Sequence, residues 1–282
     1  MIDLAPNHKL SFSVANPILL AGGMIGYGEA LHPALAPAQL GGVVVGPITL
    51  NSRTGAEESR LAATNGGFIL ETGLQNRGLA AVLKQFAKLW PRLGCPVIAQ
   101  VADAQPSALA KVAAQLTSTR DLSGLELLLP RNADVELTRA LVRSITRQSD
   151  LPVWVKLPLD RAATLATVAI ESGAVGLVVG QPLIGAAFPP GGVGATPLSG
   201  SLFGPLAFAP MLAALLAVAK LNLPGALIAC GGVHQVAHVQ QALAAGAKAV
   251  QIDSALWVEP GLPARLVREI REGQAKALSG LA

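Results

Sequence analysis

Hydrophobic residues along this chain gather in eight short runs of four to six, at 17–21, 43–48, 97–100, 125–129, 153–157, 176–179, 226–230 and 249–252. Glycine or polar residues bound each run, and most are followed by a longer stretch with helical spacing, at 78–90, 107–117, 133–146, 161–171, 211–220, 235–245 and 263–278. In the first of these, Leu79, Val82, Leu83 and Phe86 share one face, the spacing of an amphipathic helix. Short apolar strands alternating with helices predict a parallel sheet. Eight such units in 282 residues predict an α/β fold, a closed (β/α)8 TIM barrel that forms a single domain over 1–282, with its chemistry at the C-terminal strand ends. The phrases SGAVG, PGALIAC and AAGAKAVQI follow one logic, a helix stopping at glycine before a strand begins. Asp160 reads as the N-cap of the helix after the fifth strand. Residues 1–15 are an N-terminal extension in which the alternation at 10–14 predicts a strand covering the barrel bottom. The longest irregular stretch, 180–203, holds two adjacent prolines and six glycines, and loops of that length often serve as lids or binding loops.

Composition narrows the function. Hydrophobic residues make up 51% of the chain and charged residues 13%, which predicts a large core and apolar surface buried in a homo-oligomer. The net charge of +4 comes with no lysine- or arginine-rich run and few aromatics, so a nucleic-acid partner is not expected. The apolar stretch 206–219 is 14 residues long and interrupted by Pro210, short of the ~20 that a membrane span needs. Residues 1–10 carry Asp3, Pro6, Asn7 and His8 and do not resemble a signal peptide. Cys95 and Cys230 form neither a disulfide framework nor a metal spacing, and Cys230 reads as a small core residue. These features predict a cytoplasmic protein. Of the four histidines only His234 and His238 are spaced i, i+4, without the glutamate of a zinc-protease motif. They are expected on a helix surface, and no metal is expected.

The phrases NPILLAGGMIGYGE, GGVVVGPITL, ETGLQN, LELLLP, PVWVKL, GLVVGQPLIG, GSLFGP, ACGGV and AVQIDSAL resemble successive strand ends of the dihydroorotate dehydrogenase family. They occur in that family's order over nearly the whole chain, and the start resembles its soluble class. The resemblance implies an FMN-binding barrel that oxidises dihydroorotate to orotate in pyrimidine biosynthesis. It further implies a loop cysteine or serine as general base, asparagines around the orotate ring, lysines on the flavin, and the phosphate on backbone amides at the last two strand ends. Carried onto this sequence, it places cofactor contacts at Ala21, Gly22, Gly23, Lys156, Gln181, Gly204, Gly231, Gly232, Ser254 and Ala255, and substrate contacts at Gln75 and Asn76. Arg53 and Arg60 match basic positions after the second strand, with a solvated surface as the default. Three of these positions have a plain structural alternative. Gly22 and Gly23 suit a tight barrel turn, and Lys156 suits a buried pair with Glu126 on the neighbouring strand.

Other positions depart from the family pattern. A lysine becomes Gly46, one substrate amide becomes Leu70 beside a new Glu71, and two asparagines become Leu128 and Ala133. The base position is Arg131, which has donors only and stays protonated near neutral pH. Pro182 replaces a hydroxyl, and Asp253 stands where the family has a glycine, a carboxylate competing with a bound phosphate. With the base and substrate asparagines missing, the expected protein keeps the barrel and has lost the usual reaction. FMN is then absent or weakly held, and a different small-molecule ligand or a partner protein takes its place. The alternative is a genuine FMN-dependent oxidoreductase with an atypical site. A third reading is a barrel enzyme that holds a sugar phosphate at 231–233 and Ser254. Glu71 and Arg131 are expected to form an ion pair at the barrel mouth.

Overall fold

The computed structural model describes residues 1–188 and 196–279. Eight parallel strands close into a barrel: β1 (Ile18–Leu20), β2 (Gly42–Ile48), β3 (Val97–Val101), β4 (Gly124–Leu128), β5 (Val153–Pro158), β6 (Gly176–Gln181), β7 (Ala226–Cys230) and β8 (Ala249–Ile252). Neighbours in sequence are neighbours in the barrel, and β8 pairs with β1 to close it. Helices return between strands, among them Pro106–Thr117, Val135–Thr146, Ala162–Glu171, Phe208–Ala219 and Val236–Ala244. Each strand of a doubly covered barrel buries both faces, which is why the runs are continuously apolar rather than alternating.

The core has two compartments. One lies between strands and helices, where Val43, Val45, Leu125, Leu127, Val155 and Leu157 meet the helical faces. The other is the barrel interior, where Leu19, Val44, Ile98, Trp154, Val178 and Ile228 fill the lower layers. Trp154 is the largest of these, and its neighbours make room for it. A Cβ on Gly124 would sit 2.3 Å from the Trp154 ring, and one on Gly176 would sit 2.8 Å from it. Near the N-terminus a two-stranded ribbon forms, Ile2–Asp3 against Ser13–Val14. It carries Phe12 edge-on to Trp154 at 5.1 Å and lets the Trp154 Nε1 donate to the Leu4 carbonyl at 2.8 Å.

Three expectations need correction. Asp160 does not cap the helix Ala162–Glu171. It lies within a 3-10 turn, Leu159–Arg161, and that helix starts without a side-chain cap. The capping aspartate is Asp134, which accepts from the Leu137 amide at the start of Val135–Thr146. The stretch 180–203 is not simply a loop. Within it, Ile184–Ala187 and Leu198–Phe203 pair antiparallel and join Gly67–Leu70 and Leu61–Thr64 in a four-stranded sheet over the mouth. Part of the proline- and glycine-rich segment, 189–195, lies outside the described residues. The histidines are not plain surface residues. His238 stacks on Phe208 at 4.0 Å, and the His234 ring meets it edge-on at 4.4 Å.

Candidate active-site cavity at the barrel mouth

A cavity of about 490 Å³ opens at the C-terminal strand ends, walled by the barrel below and by the antiparallel sheet above. That volume falls within the range of small-molecule pockets. Its floor is polar because four strands each place one polar residue at inward parity. These are Gln100, Glu126, Lys156 and Gln251, each 5% exposed or less, and their partners are one another. Gln100 Nε2 donates to Glu126 Oε1 at 2.7 Å, and Gln251 Nε2 donates to Glu126 Oε2. Lys156 Nζ donates to Gln251 Oε1 at 2.8 Å and stands 3.7 Å from Glu126. The pairing of Lys156 with Glu126 therefore exists, and Lys156 also borders the cavity. Burial works against its ammonium, but Cys230 when ionised, Glu126 and Asp253 outweigh it and hold its pKa up at about 12. Burial likewise pushes the Cys230 thiol up to about 12, so Cys230 stands on the cavity wall as a neutral thiol near pH 7.

Loops after the strands supply the rim. Arg131 points into the cavity, where Nη1 donates to the Pro182 carbonyl at 2.8 Å and Nη2 to Ser201 Oγ at 2.6 Å. Its loop is tied down from behind by Arg161, which donates to the carbonyls of Arg131 and Ala133. Burial lowers the Arg131 pKa, opposed by Glu71 and Asp160. Glu71 shares the cavity, but its Oε1 accepts from the Gly73 amide at 2.7 Å. The expected ion pair does not form: Glu71 turns back onto the amide of its own turn, and Arg131 is held by the Pro182 carbonyl and by Ser201, the cross-strand neighbour of Leu70. Leu70 and Leu128 line the wall where polar groups would have been. Gly46 sits at φ +127°, and a Cβ there would lie 2.7 Å from the Gln100 carbonyl. The backbone at this strand end leaves no room for a side chain in place of the missing lysine.

The family-matched positions divide into two groups. Ala21, Gly22, Gly23, Lys156 and Gln181 border the cavity. A Cβ on Gly22 would meet the Gln100 side chain at 2.6 Å, so the glycine accommodates that amide. Gly204, Gly231, Gly232, Ser254 and Ala255 lie outside the cavity lining, as do Gln75 and Asn76. Asn76 is spent on structure, its Oδ1 accepting from Thr49 Oγ1 and the Gly78 amide, and exposed Gln75 accepts from Arg60. Gly204 has φ +107°, with the backbone of Gly67 2.6 Å from where its Cβ would be. Ser254 is buried and Ala255 begins a one-turn helix.

The resemblance implies an FMN phosphate at the ends of β7 and β8, and the residues there do not fit it. Gly231, Gly232 and Ser254 are buried. Gly232 packs so closely that a Cβ would lie 2.3 Å from the Phe208 nitrogen, and its carbonyl contacts His234 Nδ1 at 2.8 Å. On the cavity side stands Asp253, 3% exposed. Burial raises its pKa, while Lys156 and the amides of Gly232, Asp253 and Ser254 favour its charged form. The carboxyl thus occupies the direction from which those amides would receive an anion. Gln100, Ser201, Phe203 and Trp257 also border the cavity, and Gln251 braces its floor, although none of them is among the family-matched contact positions. For Gln100 and Gln251 a signal is present all the same, a glutamine at inward parity inside an apolar run.

Comparison with known proteins agrees with this architecture. Dihydroorotate dehydrogenase B (NAD(+)), catalytic subunit, from Desulforudis audaxviator (strain MP104C) is 30% identical, over 92% of this chain and 89% of its own. The protein of the same name from Bacillus pumilus (strain SAFR-032) is also 30% identical, over 92% and 87%. A crystal structure of the Eimeria tenella dihydroorotate dehydrogenase in complex with ferulenol shares the fold with a TM-score of 0.78 at 19% identity, covering 98% of this chain and 88% of that one. The family profile described as dihydroorotate dehydrogenase matches residues 7–273, which take in all eight barrel strands, and the chain belongs to the dihydroorotate dehydrogenase family.

Proposed function

We propose that this chain is a family member whose barrel mouth has given up dihydroorotate oxidation and serves as a binding site for a different small ligand. The observation that carries the reading is Arg131. The residue at the general-base position donates to Pro182 and Ser201 and has no lone pair to accept a substrate proton. A general base contributes roughly 10²–10⁴-fold to rate, and the apolar Leu70 and Leu128 remove further polar contacts from the wall. The test is dihydroorotate-dependent dye reduction by the purified chain with FMN added. No turnover above the protein-free control is expected, and sustained turnover refutes the reading.

A second reading, an FMN-dependent oxidoreductase with an atypical site, is favoured by the names of the 30%-identical relatives and by Gly22, Gly23 and Lys156 at the cavity. It predicts yellow protein as purified. Those relatives are named as catalytic subunits, which supports a partner chain here as well. Exposed Trp257, Leu206 and Ile184 on and beside the antiparallel sheet support a protein–protein contact, a second copy included. No helix among the described residues is long and apolar enough to cross a membrane, and a cytoplasmic location belongs to the same proposal. Sedimentation of the purified chain tests the assembly.

A further inference from the structure

The inner end of the cavity has an imbalance of hydrogen-bonding groups. Asp253 Oδ1 and Gln181 Oε1 are buried acceptors without a partner, in side chains that are 3% and 5% exposed, and both residues border the cavity. The Gln181 amide is oriented by its other end, since Nε2 donates to the Leu129 carbonyl at 3.1 Å. None of the neighbouring side-chain donors reaches either oxygen, Lys156 included, although its charge attracts the Asp253 carboxyl. Lys156 is held by Gln251 and Glu126, the Gln100 and Gln251 amides by Glu126, and Arg131 by Pro182 and Ser201. A buried acceptor left without a donor costs about 1–3 kcal/mol, and a ligand that supplies the donor recovers it.

We propose that the inner end of the mouth cavity receives a neutral or cationic ligand group bearing O–H or N–H donors, and that Asp253 shuts out a phosphate there. This deepens the reading of the mouth as a ligand site and rests on it. Whether charged or protonated, the Asp253 side chain fills the volume in front of the Gly232 and Ser254 amides, and when charged it repels an anion. Nearer the rim, Phe203, Trp257, Leu70 and Leu128 offer an apolar wall to a flat ring. The ligand class is therefore a ring system with a hydroxylated or amide-bearing tail and no terminal anion.

Riboflavin and FMN are suitable probes because they share ring and ribityl chain and differ by the phosphate alone. Binding of each is titrated by flavin fluorescence to the wild-type chain, Asp253→Gly and Asp253→Asn, with circular dichroism confirming that each variant is folded. The wild type is expected to bind riboflavin at least ten-fold tighter than FMN. Asp253→Gly is expected to raise FMN affinity ten-fold or more and invert the preference. Asp253→Asn, which keeps the shape and loses the charge, falls between. FMN bound by the wild type as tightly as riboflavin, an unchanged ratio in both variants, or no riboflavin binding each overturns the proposal. Tight FMN binding without dihydroorotate turnover would defeat this inference and leave the proposed function standing. Turnover by a riboflavin-preferring protein would do the reverse.

Discussion

Glu126→Gln is the sharpest test of how the barrel interior is held together. The carboxylate accepts from Gln100 on one oxygen and from Gln251 on the other, and lies 3.7 Å from the Lys156 ammonium. A glutamine has one acceptor oxygen, so one of the two amides loses its partner, at roughly 1–3 kcal/mol. The ammonium also loses its counter-charge. At that separation and an effective dielectric of about 20, the attraction is worth about 4 kcal/mol. Part of this is recovered because Lys156 keeps its bond to Gln251. The net expectation is a loss of about 3–5 kcal/mol, the usual result of removing one partner of a buried pair. Urea denaturation at pH 7, followed by circular dichroism, measures it as a lower midpoint with an unchanged slope. Lys156→Met alone is also destabilising, and the double variant Glu126→Leu with Lys156→Met is expected to be less destabilised than the sum of the two changes. A loss below about 1 kcal/mol for Glu126→Gln, the level of an exposed ion pair, would refute the assignment of this quartet as a tightly coupled unit.

Other expectations follow from the same geometry. Stability falls on the alkaline side. Burial raises the Cys230 thiol from 9.0 to about 12 in the folded chain, so the folded state holds more protons than the unfolded between pH 9 and 12 and loses stability as pH rises through that window. Urea midpoints read between pH 8 and 12 check this, and Cys230→Ala should flatten the lower part of the slope. Gly124→Ala places a methyl 2.3 Å from the Trp154 ring and should cost about 1–3 kcal/mol by overpacking, measured by thermal melting. Arg131→Ser supplies a hydroxyl at the base position and should still give no dihydroorotate turnover. It loses the donors to Pro182 and Ser201 and should lower stability by about 1–2 kcal/mol.

The barrel was legible in the sequence because strands buried on both faces write themselves as continuous apolar runs. Each barrel strand begins within one residue of the run that predicts it, and Asp160 fails as a cap because a 3-10 turn, Leu159–Arg161, takes over the approach to its helix. The antiparallel sheet was missed because its strands are short, half-exposed and separated in sequence. A clue was there in Asn65-Gly66, the turn between Leu61–Thr64 and Gly67–Leu70, since Asn-Gly favours a tight hairpin. At the site, Arg131 and Lys156 could be placed from strand parity and motif order. The direction of Glu71 could not, because the amide that captures it belongs to its own turn, two residues on. Gln75 and Asn76 look available in the sequence, yet Arg60 engages the first and the nearby Gly78 amide the second.

The buried quartet at mid-barrel has a consequence for anything that enters from above. It works as a bulkhead: beneath it the interior is filled by buried apolar side chains down to Trp154, while above it the cavity walls begin. Alterations to the rim can therefore retune selectivity without disturbing the keel of the molecule, and a visiting molecule can descend only as far as that charged partition.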